Sequence, residues 1–398
     1  MDTDSSKPWA DLLASIVPDG REAGLLQALS WHGEAARAQW LKWTQTVGDP
    51  RRFFERDYLG RKGLLAFVSQ RITDNAIDVG HDFATYARVA QVREELRSRI
   101  FIDTLHTVQD ALDRAGLDPV LLNGAAYAFT VYPQPLVRHN HGIDLLLPAE
   151  QLSEAKRTIA AAGFHPQHAA TLPRGGALET YRHGSGLELT LRPQLFLAPH
   201  VRAERAEFRR RCREIAVDGF RVRVLAPADR LCHTLGESAS GPARRNLRWA
   251  CDTYLLLAHH ERPDFDRVIS TATEIGTALP TAVLLEFFRA QLGVDVPANV
   301  IAALRSGGLP QTAGHTNLLL STALRSSVSV DEFVKRARTL ESLAFTAARF
   351  ALFPSAEHIA YQQRPTAKWR VPFLYVARMG RLLLRPFRRL RSVRTGAS

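Results

Sequence analysis

Two acidic residues sit in short apolar runs: Asp144 in Gly142-Ile143-Asp144-Leu145-Leu146-Leu147 and Glu188 in Leu187-Glu188-Leu189-Thr190-Leu191-Arg192. A carboxylate on a strand can hold a hard cation, take up a proton, or simply cap the turn before it, and an exposed strand glutamate is also common as plain surface. Upstream, Leu121-Leu122-Asn123-Gly124-Ala125-Ala126 carries an apolar run into a glycine, the residue that lets a backbone come close to a partner. Arg138 lies between these segments and could contact an anion or pair with a surface carboxylate. His139, Asn140 and His141 follow it; imidazole is a poor ligand for magnesium and favours softer metals. His233 and Glu237 stand at i, i+4 spacing, but without a suitably spaced third ligand they read as a helix-face contact. Asp252 reads as a structural carboxylate closing onto Arg248 or Arg244.

The elements that must position these residues follow from periodicity. Residues 24 to about 117 read as helical, with Leu96, Ile100, Phe101, Leu105, Val108 and Leu112 expected to form one buried stripe. Gly116 is a plausible stop for that helix. Val120-Leu121-Leu122 is then a short strand, 125–131 a small-residue helix, 143–147 a strand and 149–162 a helix. Two more strands are expected at 178–182 and 187–191, joined by His183-Gly184-Ser185-Gly186. From Pro227 the pattern is helical again, over 228–237, 247–259, 264–275, 281–292 and 329–350. The expected fold class is α+β: a small mixed-sheet domain flanked by N- and C-terminal helical regions. Boundaries are expected at 1–99, 100–225, 226–358 and 359–398.

The chain has 398 residues and a net charge of +12. Ten Lys or Arg residues and no acidic ones follow Ile359, so most of that excess belongs to a tail and the rest is nearly balanced. Within the tail Arg378, Arg381, Arg385 and Arg388 recur at helical steps opposite Val376, Leu383, Phe387 and Leu390. That basic amphipathic pattern suits an anionic membrane surface through residues 364–398, or a helix packed on its own domain. Nucleic acid is not an expected partner, since no recognisable binding module is present. No run of about 18 apolar residues appears, so no transmembrane helix is expected. The polar start Met1-Asp2-Thr3-Asp4 and three cysteines without metal-ligand spacing lead to an expected cytoplasmic location with reduced thiols.

In order along the chain, Leu122-Asn123-Gly124-Ala125-Ala126, Tyr132-Pro133, Arg138, Gly142-Ile143-Asp144-Leu145-Leu146, Leu187-Glu188 and Leu247-Arg248-Trp249-Ala250-Cys251-Asp252 form a series. This series resembles the bacterial uncharacterised nucleotidyltransferase family, whose members often accompany biosynthetic gene clusters. The likeness extends from about residue 90 to residue 300. It implies a nucleotidyltransferase-like domain that transfers a nucleoside monophosphate from an NTP to a hydroxyl on a small molecule, peptide or protein, with Mg²⁺. On that resemblance Asp144 and Glu188 are the catalytic and metal-binding carboxylates. Asn123, Gly124 and Ala125 face the phosphates, and Arg138 steadies them.

Three positions depart from the family pattern. Gly142 stands where the first metal-binding aspartate is expected, Asn123 replaces a lysine, and Thr190 replaces a histidine. The alternative reading is therefore a catalytically inactive pseudo-nucleotidyltransferase, acting as a ligand- or partner-binding accessory protein.

Overall fold

A computed structural model describes residues 6–55, 60–171, 177–196, 207–240, 247–259, 261–326 and Phe333. Five helices come first: α1 (Lys7–Leu13), α2 (Gly20–Ser30), α3 (Gly33–Val47), α4 (Pro50–Glu55) and α5 (Leu65–Asp74). The start of α2 is fixed by a reciprocal cap. Asp19 accepts from the backbone N–H of Glu22 at 2.9 Å, and Glu22 accepts from that of Asp19 at 3.1 Å. The long helix α6 (His81–Arg114) then leads into the sheet.

The sheet region comprises β1 (Val120–Leu121), α7 (Asn123–Thr130), β2 (Gly142–Leu146), α8 (Leu152–Ala161), β3 (Phe164–Thr171), β4 (Ala177–His183), β5 (Glu188–Arg192), α9 (Glu207–Arg211), β6 (Arg213–Val217) and β7 (Phe220–Val224). Helices α10 (Pro227–Ser240), α11 (Arg248–Ala258), α12 (Phe265–Glu274), α13 (Ala278–Leu292), α14 (Ala298–Gly307) and α15 (Ala313–Ser326) follow. The seven strands run in the order β3-β4-β5-β2-β1-β7-β6. Only β2–β5 and β1–β7 are parallel, so the sheet is mixed, as expected of the α+β class.

Alternation along the strands separates the two sheet faces. Ile143, Leu145, Leu189, Leu191 and Tyr181 pack against Phe101, Leu105, Val108 and Leu112 of α6 and Ala155 and Ile159 of α8. On the other face Val120, Leu122 and Leu146 meet Phe196, Phe208, Leu225 and Ile275. Gly142, Asp144, Glu188, Thr190 and Arg192 belong to this second face by register, with Gly142 beside Glu188, Asp144 beside Thr190 and Leu146 beside Arg192.

The structure departs from the sequence expectations in three respects. Leu96 and Ile100 are not in the buried stripe of α6 but are 60% and 51% exposed, because the core touches only the side bearing Phe101, Leu105, Val108 and Leu112. The boundary at 99/100 falls inside α6, and the helices before and after the sheet share one core, where Trp9 and Leu26 join Leu285 and Leu320. Three strands were missing from the expectation: β3, whose pairing is interrupted between Pro166 and His168, and the hairpin β6–β7. That hairpin turns at Asp218-Gly219, both with positive φ (39° and 91°), the sequence pair that favours a tight primed turn. Apart from Phe333, the helix expected at 329–350 and the tail at 359–398 lie outside the described residues.

The three thiols are unpaired; Cys232 and Cys251 are buried and Cys212 half-buried. No described helix is long and apolar enough to cross a membrane. The exposure pattern of α6 makes a direct prediction. Leu105→Ala should lower unfolding free energy by about 2–5 kcal/mol, whereas Leu96→Ala should stay within about 0.5 kcal/mol, as read by urea denaturation.

Candidate functional site

The apolar run of β1 ends at Leu122, and Asn123 then adopts φ 54°. This left-handed backbone is unfavourable for most side chains but tolerated by asparagine. The turn aims the Asn123 amide across to β2, where Nδ2 donates to Asp144 Oδ2 at 2.7 Å. Asp144 is half-buried, and its backbone carbonyl accepts from the N–H of Leu122 at 2.9 Å. Asn123 is thus bonded to Asp144.

Gly124 makes room for two polar side chains. A Cβ there would lie 2.5 Å from Arg138 Nη1 and 2.6 Å from Asn140 Oδ1, so the missing side chain admits those two groups. Ala125 is buried in the core with α6 and the strands. Arg138 is buried as well, and its fork grips Asp252 of α11: Nε donates to Oδ1 at 2.9 Å and Nη2 to Oδ2 at 2.7 Å. Tyr132 donates its hydroxyl to the same Oδ1 at 2.9 Å, and Arg138 Nη1 donates to the His139 carbonyl. Burial acts to lower the pKa of Arg138, but the adjoining Asp252 carboxylate outweighs it and holds the guanidinium above its ordinary range. Asp252 is structural, as expected, but its hydrogen-bond partners are Arg138 and Tyr132; Arg244 lies outside the described residues.

At Gly142, a Cβ would press on the backbone carbonyl oxygen of Glu188. The parallel pairing of β2 and β5 leaves no room for a side chain at this position. Glu188 shares the Asp144 face, yet its Oε1 accepts from Arg182 Nη2 at 2.7 Å on the neighbouring antiparallel strand. Mg²⁺ requires several hard oxygen ligands in near-octahedral geometry. Asp144 and Glu188 each accept an internal hydrogen bond, and among the described residues no group of three or more His, Cys, Asp or Glu side chains could hold a metal. These residues do not fit a magnesium pair.

His139 and His141 are also committed within the protein. His139 Nδ1 lies 2.6 Å from Glu94 Oε2, and its Nε2 lies 3.0 Å from His141 Nε2. Partial burial, then the neighbouring His139, Arg248 and Arg97, push the pKa of His141 down to about 4. Asn140 is fixed by donating from Nδ2 to the Arg138 carbonyl at 3.0 Å.

Sequence reasoning overlooked Arg192. It is buried on the Asp144 face, with Nη1 at 3.4 Å from His233 Nε2 and Nη2 at 3.4 Å from Glu237 Oε1. The i, i+4 pair His233/Glu237 is therefore bridged by an arginine. The alternation Glu188-Leu189-Thr190-Leu191-Arg192 was the signal that placed it on this face.

Two outcomes follow. Asp252→Ala leaves a buried guanidinium uncompensated and should destabilise the protein by about 3–5 kcal/mol in chemical denaturation. His141 has its folded pKa below its unfolded one, so its contribution to stability is fully present above pH 6.5 and is lost as pH falls toward 4. His141→Asn should accordingly lose less stability than the parent on acidification through that window, measured by thermal unfolding at stepped pH.

The family model described as "Uncharacterised nucleotidyltransferase" matches residues 57–293, which include the whole sheet and the helices α5 to α13. A search of curated proteins and a search of solved structures each return no match. With more than half of its length matched, the chain belongs to the uncharacterised nucleotidyltransferase family.

Proposed function

We propose that this chain is a family member that acts as a ligand- or partner-binding accessory protein, without metal-dependent nucleotidyl transfer. Transfer of a nucleoside monophosphate to a hydroxyl needs charge neutralisation on the phosphates and an oriented nucleophile, and in metal-dependent enzymes carboxylate-held Mg²⁺ supplies both. The observation that carries the reading is Gly142 packed against the Glu188 carbonyl, where a first carboxylate would have to stand. The commitments of Asp144 to Asn123, Glu188 to Arg182 and Arg138 to Asp252 support it. Unpaired thiols fit a reducing compartment, and we place the protein in the cytoplasm on that ground.

The family activity, with an NTP as donor and an unidentified small molecule, peptide or protein as acceptor, is favoured by one feature. Asp144 and Glu188 share a sheet face, and Asp144 is half-exposed. Calorimetric titration with each NTP, with Mg²⁺ and again with Mn²⁺, separates the two. The accessory reading expects no metal-dependent binding increment and no difference between the parent and Asp144→Ala. Metal-dependent binding that disappears in Asp144→Ala would restore the transferase reading.

A further inference from the structure

We propose that the outer side of α6 is a docking surface for an anionic membrane. The helix is apolar on two opposite sides. At about 100° per residue, Phe83, Ala87, Phe101 and Leu105 fall on the side that enters the cores. Val89, Val92, Leu96 and Ile100 fall on the opposite side, spaced by three, four and four residues, and are 51%, 42%, 60% and 51% exposed. Of the large hydrophobics in the described residues only Leu41 is comparably exposed, so the stripe is a concentration and not ordinary scatter.

Charge identifies the partner. The same periodicity sets Arg88 and Arg99 along one edge of the stripe and Arg93 and Arg97 along the other, all exposed. None of the four forms an ion pair within the described residues. Of the two glutamates in this stretch, Glu94 is buried against His139 and Glu95 accepts from Gln91 at 3.0 Å. A row of aliphatic side chains about 16 Å long between two rows of arginines matches an interfacial helix face. The aliphatics enter the acyl boundary while the guanidiniums reach anionic headgroups on their long stems. A second copy laid on the same face would bring arginine rows together, which opposes self-association.

The test is co-sedimentation of the full chain with phosphatidylcholine vesicles, with and without phosphatidylglycerol. A Val92→Ser/Leu96→Ser/Ile100→Ser variant is run in parallel; these positions are exposed, so circular dichroism should be unchanged. Binding should require phosphatidylglycerol, weaken with salt, and fall at least about tenfold in the variant. Arg93→Ala/Arg97→Ala should reduce the dependence on anionic lipid. The proposal is overturned if the triple variant binds like the parent, which would leave the basic tail as sole anchor. It is also overturned if the parent ignores anionic vesicles, or if light scattering finds a dimer that the variant abolishes.

Discussion

The ion pair between Arg138 and Asp252 joins the segment before β2 to α11, and the surroundings of the candidate site are arranged about it. A guanidinium and a carboxylate buried together are tolerable only with their hydrogen bonds satisfied, which accounts for the Tyr132 hydroxyl on Asp252 and the His139 carbonyl on Arg138. The same requirement reaches α7, since Arg138 and Asn140 fit only because residue 124 has no side chain. It also reaches the N-terminal helices. Gly63 leaves space against which Arg248 and His139 lie. The sheet and the helical core are thereby locked by a polar contact as well as by apolar packing.

Around that contact, Asp144 and Glu188 are part-exposed and each accepts a hydrogen bond from a neighbouring side chain. The Asn123 amide donates to Asp144 without adding charge. Glu188 is drawn to Arg182 across the antiparallel β4–β5 pair. On this strand face one oxygen of Asp144 and one of Glu188 are taken by internal donors. The helices α7 and α10 are held to each other by the Tyr127 hydroxyl and Thr234 at 2.7 Å, so the floor of this face is fixed by buried bonds.

The helix α6 connects the two halves of the molecule. Its first turns contribute Phe83 and Ala87 to the helical core, and its later turns contribute Phe101 to Leu112 to the sheet core. One helix therefore contributes to both cores, and residues 99 and 100 fall inside it. Its opposite side carries apolar residues that neither core uses, which is why periodicity alone misassigned Leu96 and Ile100.

Much of the fold could be read from local pattern. The order of strands β1, β2, β4 and β5, the helices after Pro227 and the family series all rest on period, turn residues and spacing, which are properties of neighbouring positions. The strand β3 escaped because Pro166 and a pairing irregularity break its alternation, and β6 because an edge strand with exposed side chains lacks an apolar face. The residue types at the candidate site, including Gly142 and Glu188, could be read from the sequence. Whether those groups are free could not be. Asp252 is 114 residues from Arg138, and Glu94 is 45 from His139, so their pairing depends on which surfaces meet on folding. Sequence by itself determined which side chains are available and on which strand face they stand. Only the tertiary structure decided that each is already bonded to another, because a buried charge must find its partner wherever packing places one.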